Sequence, residues 1–420
     1  MKILMVNTFH YYRGGDCVYT LGLSYLLQQM YGHKVINFAM KHPFNVPCEY
    51  SEFFVPEIDL PKELAQGGLR SGIRVLTRAI YSSKSKEKLR QLLDKYPVDI
   101  AHIQNIHGHI TPSIFHTLRA RNIAIVWTLH DYFLLCPNST FFSKDKMCEA
   151  CKGGRFYNAV FKKCRKDSYA ASIVVMLEEY IHRLLGLLSL VDFFIAPSNF
   201  LRNKMIEYHF PSDKVIHIPN FIDTKNTKLS LNNNDYILYS GRLSYEKGLK
   251  TLIKALSLCN SVKLLIAGEG PLKVELETMA KNIAPKKGEF LGYLNGERLQ
   301  KIIDGAMFIV VPSEWYENFP YSILEAFTLG KPVIGSEIGG IPELVRDGET
   351  GLLFEPGSAG DLAEKIQWMI DHPKERQEMG RRARELVEKK CNPELHYEHL
   401  MGVYRMALRK HGKDIDKLEG

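Results

Sequence analysis

Two glutamates, Glu317 and Glu325, lie eight positions apart in the segment PSEWYENFPYSILEAFTLGKPVIGS, which begins at residue 312. A strand pattern ends at Pro312, and Pro320 opens a helix that carries Glu325 on its second turn. Open α/β sheets bind ligands at the carboxyl edge of their strands, and a helix N-terminus attracts phosphate through its free N–H groups. Carboxylates beside such a site can accept hydrogen bonds from ribose or sugar hydroxyls. Taken alone, two such glutamates are more often solvated surface residues.

A pair of cations lies upstream in YILYSGRLSYEKGLKTLIKAL, which begins at residue 236. Gly241 and Arg242 follow a predicted strand, and Lys247 comes just before a predicted helix. Arginine can hold phosphate oxygens with two hydrogen bonds while lysine acts as a point charge. The spacing suits a clamp for a diphosphate, and two solvated loop cations are the alternative. Gly268 begins a further turn, Gly-Glu-Gly-Pro, at the end of the next strand.

The N-terminal half has a glycine pair, Gly14 and Gly15, between its first strand and first helix. Glycine lets the backbone approach a ligand closely. The pair does not form a G-x-G-x-x-G fingerprint, which argues against a dehydrogenase. Farther on, His130 and Asp131 follow an apolar strand. Three residues after the preceding strand remain alternatives for a ligand-facing side chain: Gln104, His107 and His109.

Four of the eight cysteines fall within 29 residues, with a C-x2-C pair at their centre. This number and spacing suit a tetrahedral zinc site in a small insertion at about 136–164. A site with four sulfur ligands would be structural because it leaves no open position for a substrate. Four reduced, unrelated thiols are the alternative. The cysteines are Cys136, Cys148, Cys151 and Cys164.

The segment around the two glutamates resembles the donor-binding signature of the retaining glycosyltransferases of family 4, which adopt the GT-B fold. The likeness covers essentially the whole chain. The family's E-x7-E pair falls on Glu317 and Glu325, which implies that the first contacts the donor sugar and the second the nucleotide ribose. Here Asn318-Phe319-Pro320 replaces the commoner Phe-Gly pair, a change that retains the turn but alters the groups offered to the sugar.

The same resemblance implies roles for the other candidate residues. Arg242 and Lys247 match the positions that hold the donor phosphates, the glycine pair matches a loop that reaches across the cleft, and His130 matches a cleft-facing histidine. The implied catalytic residues are His130, Arg242, Lys247 and Glu317. The implied donor-binding residues are Gly14, Gly15, Gly241, Arg242, Lys247, Gly268, Asn318, Phe319, Pro320, Tyr321 and Glu325.

The reaction that the resemblance implies is transfer of a hexose-type sugar from a UDP- or GDP-sugar, with retention of anomeric configuration and no obligatory catalytic metal. The expected acceptor is a glycan or a lipid-linked molecule in surface polysaccharide or glycoconjugate biosynthesis. Two rival functions remain at this point. One is a nucleotide-sugar epimerase of the same architecture, and the other is a zinc-containing nucleic-acid-binding protein.

Short apolar runs alternate with helical patterns along nearly the whole chain, which indicates βαβ units and parallel sheets. Two such series lie on either side of the polar stretch DTKNTKLSLNNND at 223–235, so we predict two doubly wound, Rossmann-like domains facing a cleft. The acceptor domain is expected over 1–210 and the nucleotide-sugar domain over 211–393. A C-terminal segment, 394–420, is expected to form a helix that packs on the first domain.

The composition suits a globular protein with an anionic partner. The 420 residues carry a formal net charge of +8, and 45% of them are hydrophobic. No apolar run reaches the length of a membrane span, and the N-terminus reads as a strand rather than a signal peptide. We therefore expect a cytoplasmic protein, at the inner face of the membrane if its basic segment 69–90 contacts anionic lipid. A solvated basic helix is the alternative. No basic-aromatic nucleic-acid module is present, so no nucleic-acid partner is expected.

Overall fold

The computed structural model describes residues 1–57, 80–225, 227–229, 234–259 and 262–414. Within these ranges it has two six-stranded sheets and one short hairpin, and every strand pair in the large sheets is parallel. The predicted α/β architecture of two doubly wound domains is confirmed. The strands are β1 (Lys2–Val6), β2 (Lys34–Phe38), β3 (Ile100–Ile103), β4 (Ala124–Thr128), the hairpin β5 (Phe142–Ser143) and β6 (Lys146–Met147), β7 (Phe193–Ala196), β8 (Val215–His217), β9 (Tyr236–Ser240), β10 (Lys263–Ala267), β11 (Gly288–Gly292), β12 (Ile309–Val311), β13 (Val333–Ser336) and β14 (Gly351–Phe354).

Helices connect these strands on both faces of each sheet. The α-helices in the described ranges are α1 (Gly15–Tyr25), α2 (Ser83–Lys95), α3 (Phe115–Arg119), α4 (Asn158–Phe161), α5 (Tyr169–Leu184), α6 (Asn199–Glu207), α7 (Leu249–Leu258), α8 (Lys273–Ile283), α9 (Gly296–Gly305), α10 (Tyr321–Thr328), α11 (Ile341–Leu344), α12 (Ala359–Asp371), α13 (Pro373–Lys390) and α14 (Pro393–Lys410). None of these described helices has the length and apolar character needed to cross a membrane.

Each large sheet has one switch point, a place where the order of successive strands reverses. Most of the candidate residues lie in the loops at these two places. The first sheet has the order β2-β1-β3-β4-β7-β8, so the order in which successive strands are added reverses between β1 and β3. The second has the order β11-β10-β9-β12-β13-β14, and its strand order reverses between β9 and β12. Ligands of open α/β sheets bind in the crevice beyond the carboxyl ends of the strands at such a point. A ligand is therefore expected to contact the loops that follow β1, β3, β9 and β12.

Both faces of each sheet are covered by apolar side chains, which is why the strands read as continuous hydrophobic runs. In β1, Leu4 and Val6 enter one core while Ile3 and Met5 enter the core on the opposite face. In β9, Ile237 and Leu238 divide between the two cores of the second sheet in the same way. Each sheet is thus packed on both faces, and the loops at its edge can hold side chains in fixed positions.

The last helix, α14, returns to the first sheet. Its Leu400, Val403 and Ala407 are buried in the core that also contains Ile3 and Ile100. Buried hydrogen bonds fix this contact, with 2.7 Å between the Tyr404 hydroxyl and His102 Nδ1. The two connections between the sheets also meet, since the Ile222 N–H donates to the Cys391 carbonyl at 2.8 Å. The predicted domain limits remain predictions, and part of the predicted linker lies outside the described residues.

Candidate active site

An ion pair between the half-buried Lys247 and the buried Glu317 lies at the switch point of the second sheet. Glu317, in the loop after β12, accepts hydrogen bonds through Oε1 from Lys247 Nζ at 2.7 Å and from Ser313 Oγ at 2.6 Å. Burial alone would raise the pKa of Glu317, but the charge and hydrogen bonds of Lys247 and the Ser313 bond hold it below its usual value. Glu317 is therefore an anion at neutral pH. The sequence pattern missed Ser313, although it stands only four positions before Glu317.

A glycine next to Lys247 allows the two loops to approach closely enough for this ion pair to form. Gly248 has a φ of 69°, and a Cβ at this position would lie 1.8 Å from the Pro312 carbonyl oxygen. The loop after β9 therefore packs directly against the end of β12, which brings Lys247 within reach of Glu317. Gly268 allows a similar approach, since a Cβ there would lie 1.8 Å from the Gly241 carbonyl oxygen. The glycines of this edge are thus required by contacts between the loops.

Arg242 lies at the same edge but differs from Lys247 in its surroundings. Its side chain is exposed, and none of the described residues forms an ion pair with its guanidinium. Its carbonyl accepts a hydrogen bond from the Tyr239 hydroxyl at 2.7 Å, which fixes the backbone after β9. The guanidinium is available for an anionic ligand.

The turn before α10 contacts the first domain. Asn318 accepts a hydrogen bond from Ser198 Oγ at 2.8 Å and donates one to the Leu129 carbonyl at 3.0 Å. The Tyr132 hydroxyl donates to the carbonyl of Glu317 at 3.2 Å. The Asn318 side chain thus bonds across the two domains, and Phe319 is buried among apolar side chains packed on the second sheet. These two residues shape the loop in this structure rather than presenting their side chains to the cleft.

The N-terminus of α10 faces the glycine pair of the first domain. Pro320 precedes the first helical residue, Tyr321, and no described side chain caps this end of the helix. Gly15 lies so near that a Cβ there would be 3.2 Å from Tyr321 Cδ2. Gly14 is the N-cap residue of α1, whose N-terminus also has no side-chain cap. Uncapped N–H groups of two helices therefore border the same crevice.

Glu325 follows on the second turn of α10, and no described residue forms a salt bridge or side-chain hydrogen bond with its carboxyl group. Burial raises the pKa of Glu325 to about 7. A carboxyl group in this state gains from a ligand that donates hydrogen bonds to its ionised form. The two glutamates differ in their partners, because Glu317 is paired with Lys247 and Glu325 is paired with no cation among the described residues.

His130 lies on the first-domain side of the crevice. Its Nε2 is 2.7 Å from Gln104 Oε1, and its ring contacts that of Tyr19 with 5.0 Å between centroids. Burial lowers the pKa of His130 to about 4, so the imidazole is neutral at pH 7. Of the three alternatives after β3, Gln104 is the one bonded to His130. His107 instead stacks on Phe133 with 3.9 Å between centroids, and the ring of His109 contacts Phe9.

The four clustered cysteines converge although they come from different turns. Cys136, Cys148, Cys151 and Cys164 all line one small cavity between the hairpin and α4. Lys162 Nζ lies 3.2 Å from Cys148 Sγ. Within the described ranges, however, no three histidine, cysteine or acidic side chains have the arrangement of a metal site.

The basic segment predicted at 69–90 is only partly described. Residues 69–79 lie outside the described residues, and the described remainder includes the start of α2. The contact with anionic lipid that the sequence suggested for this segment stays a prediction.

Two family models match consecutive parts of the chain. Residues 18–226 match Glycosyltransferase Family 4, and residues 221–386 match Glycosyl transferases group 1. An uncharacterized 42.6 kDa protein in the cps region of Klebsiella pneumoniae is 28% identical over 359 residues, which is 82% of this chain and 88% of that protein. The alpha-D-kanosaminyltransferase of Streptomyces kanamyceticus is 27% identical over 184 residues, 42% of this chain and 47% of that protein. The match spans about half the length of the first curated relatives.

Solved structures resemble the entire architecture. Anabaena HepE in complex with UDP has a TM-score of 0.67 at 17% identity, and the match covers 96% of this chain and 99% of that one. The sucrose-phosphate synthase of Thermosynechococcus elongatus has a TM-score of 0.69 at 20% identity, covering 96% of this chain and 98% of that one. At these identities the likeness establishes the fold.

The close contact at Gly248 leads to a stability prediction. We expect Gly248→Ala to lower the free energy of unfolding by at least about 3 kcal/mol, because the new methyl group collides with backbone that cannot move aside. Gly357→Ala is the matched control. Gly357 also has a positive φ, 81°, but a Cβ placed there would have no atom within 4 Å, so only the backbone cost of about 1–2 kcal/mol applies. Equal losses in urea unfolding of the two variants would contradict the steric argument.

Proposed function

The chain belongs to the family 4, group 1 glycosyltransferases, and on this basis we propose that it transfers a hexose-type sugar from a UDP- or GDP-sugar to a hydroxyl of an acceptor, with retention of configuration. The observation that carries the proposal is the ion pair between half-buried Lys247 and buried Glu317 at the switch point of the second sheet. A cation and an anion held 2.7 Å apart beside an uncapped helix N-terminus offer complementary groups to a phosphate and to sugar hydroxyls.

The donor diphosphate is proposed to lie between Arg242, Lys247 and the N-terminus of α10. The exposed guanidinium of Arg242 has no competing ion pair among the described residues, and Lys247 is fixed by Glu317. These charges and N–H groups are in place before the reaction, so they stabilise the charge that builds on the leaving diphosphate without reorganisation. Gly14, Gly15 and Tyr321 border the same crevice from both domains.

The two glutamates and His130 are proposed to orient the donor. Glu317 accepts hydrogen bonds from sugar hydroxyls, and Glu325 accepts them from the ribose. His130 is neutral at pH 7, so it acts as a hydrogen-bonding group toward the sugar and contributes no charge. The acceptor hydroxyl attacks the anomeric carbon from the side on which the diphosphate leaves, and the proton of that hydroxyl passes to the departing phosphate oxygen. No catalytic metal is required by this arrangement.

The acceptor is proposed to be a glycan or a lipid-linked molecule in surface polysaccharide or glycoconjugate biosynthesis, at the cytoplasmic side of the membrane. Relatives support this class. One is a protein in the cps region of Klebsiella pneumoniae, and another is the D-rhamnosyltransferase WbpZ of Pseudomonas aeruginosa, 35% identical over 150 residues.

Donor binding and turnover test the proposed site together. We expect a UDP- or GDP-sugar to raise the melting temperature of the chain by mass action, and a panel of nucleotides to identify the base. Lys247→Ala and Glu325→Ala should each reduce turnover at least about tenfold, equivalent to roughly 1.4 kcal/mol in the barrier. Lys301→Ala, an exposed lysine on α9, is the matched control. Unchanged turnover in both site variants, or a crystal soaked with donor that shows it far from these residues, would refute the site. Sugar interconversion without acceptor would favour an epimerase.

The unusual titration of Glu325 leads to a second prediction. A carboxyl group with a pKa near 7 is largely protonated at pH 6 and largely ionised at pH 8. Because ribose hydroxyls bond best to the ionised form, the Kd for a nucleotide-sugar should be about tenfold larger at pH 6 than at pH 8. The diphosphate of a nucleotide-sugar does not titrate in this range. Calorimetry at both pH values measures the effect, and Glu325→Gln should remove it. A dependence that survives in this variant would assign it to another group.

The cysteine cavity supports a separate proposal, a structural zinc ion. Four sulfur donors around one cavity suit zinc chemically, whereas in this structure the side chains are not arranged as a ligand set. We expect metal analysis of the purified protein to give about one zinc per chain. Cys151→Ser should lower this content, and Cys48→Ser, which lies outside the cluster, should not. Metal-free protein with full activity and unchanged stability would contradict the proposal.

A further inference from the structure

Helix α5 has the reverse of the polarity expected of a surface helix. Its three buried ionisable side chains, Glu178, Glu179 and His182, are 2%, 1% and 2% exposed. Its outward face is apolar, with Tyr169 at 56%, Ile173 at 39%, Tyr180 at 36% and Leu184 at 86% exposed. The spacing of four, seven and four residues places these four on one side of the helix.

The orientation of α5 is fixed from the inside. His182 Nε2 lies 2.7 Å from the Ile80 carbonyl oxygen, and Arg183 pairs with Glu179. Arg183 also donates to the Leu134 carbonyl at 2.6 Å. The helix therefore cannot rotate to hide its apolar side without breaking the contacts of His182, Glu179 and Arg183, and the loss of a buried ion-pair or hydrogen-bond partner is costly.

The apolar side continues beyond α5. Leu185 follows it directly at 46% exposed. Tyr157, the residue before α4, and Phe161, the last residue of α4, are 46% and 73% exposed. The ring of Phe156, one residue before Tyr157, lies 5.4 Å from that of Tyr180, which joins the two helices. We define the α4–α5 face as these exposed side chains: Tyr157, Phe161, Tyr169, Ile173, Tyr180, Leu184 and Leu185. Apolar surface gathered in this way marks an interaction site.

The neighbouring charges are strongly basic. Residues 144–167 contain eight lysines and arginines against three acidic residues. One of these lysines, Lys163, lies over the ring of Tyr169 at 4.6 Å, so the charge reaches the edge of the apolar face. Aromatic and aliphatic side chains bordered by lysine and arginine match the interfacial region of an anionic bilayer. A second copy of this chain would bring two basic segments together, which disfavours self-association.

We propose that the α4–α5 face docks the protein on the surface of an anionic lipid bilayer, with Ile173, Tyr180 and Leu184 entering the headgroup region and the lysines of 144–167 contacting lipid phosphates. The protein lies on the bilayer, in agreement with the absence of a spanning helix among the described residues. None of the residues that define the α4–α5 face belongs to the basic segment at 69–90 that the sequence suggested. The docking requires neither a donor nor sugar transfer, so its test is independent of the proposed reaction.

Flotation of the full chain with vesicles tests the proposal. Vesicles of phosphatidylcholine with one-third phosphatidylglycerol should retain the protein at low salt, and pure phosphatidylcholine should retain about tenfold less. The triple variant Ile173→Ser, Tyr180→Ser, Leu184→Ser should reduce binding to anionic vesicles about tenfold or more. The control is Leu258→Ser with Val274→Ser, two exposed apolar residues of the second domain at 63% and 76%, which should bind as the unmodified protein does.

Three outcomes would overturn the proposal. The first is that the unmodified protein does not bind anionic vesicles, or that the triple variant binds them as well as the unmodified protein does. The second is an unmodified protein that is dimeric in solution and becomes monomeric in the triple variant, which would assign the face to a second copy. The third is a triple variant that loses several degrees of melting temperature with no change in flotation, which would mean that another part of the same chain covers the face. Thermal unfolding and light scattering on the same samples distinguish these results.

Discussion

The candidate site depends on one ion pair that joins two loops of the second sheet. Removing Lys247 would leave the Glu317 carboxylate buried with Ser313 as its remaining hydrogen-bond donor, and an uncompensated buried charge is costly. The pair is possible because Gly248 lets one loop touch the end of the neighbouring strand. The same pair lowers the pKa of Glu317 and positions the ammonium group of Lys247, so one contact fixes the charge of the glutamate and the place of the lysine.

The loop that carries Glu317 also contacts the first domain through several hydrogen bonds. Tyr132 bonds to the Glu317 carbonyl, and Asn318 bonds to both Ser198 and the backbone of Leu129. Glu149, from the cysteine-rich insertion, accepts a hydrogen bond from the hydroxyl of Tyr316 at 3.0 Å. The backbone of the loop is thus held from the first domain while its carboxylate is held from the second. A substitution on either side of the crevice can therefore shift the same glutamate.

The sequence predicted much of this arrangement because its strongest signals are local. Alternating strand and helix patterns predicted the two parallel sheets, and proline and glycine marked the ends of α10. Other features depend on tertiary packing, which no local pattern encodes. These are the positions of the switch points, the hydrogen bonds of Asn318 across the domains and the burial of Phe319. Likewise, the difference between Glu317 and Glu325 could not be predicted from their identical side chains, because it arises from the single lysine that reaches one and not the other.

The return of α14 to the first sheet has a mechanical consequence. The chain passes between the two halves once near Ile222 and again near Cys391, and these two passages are hydrogen-bonded to each other. The two connections therefore form a double link between the halves, and a displacement of one connection must also displace the other.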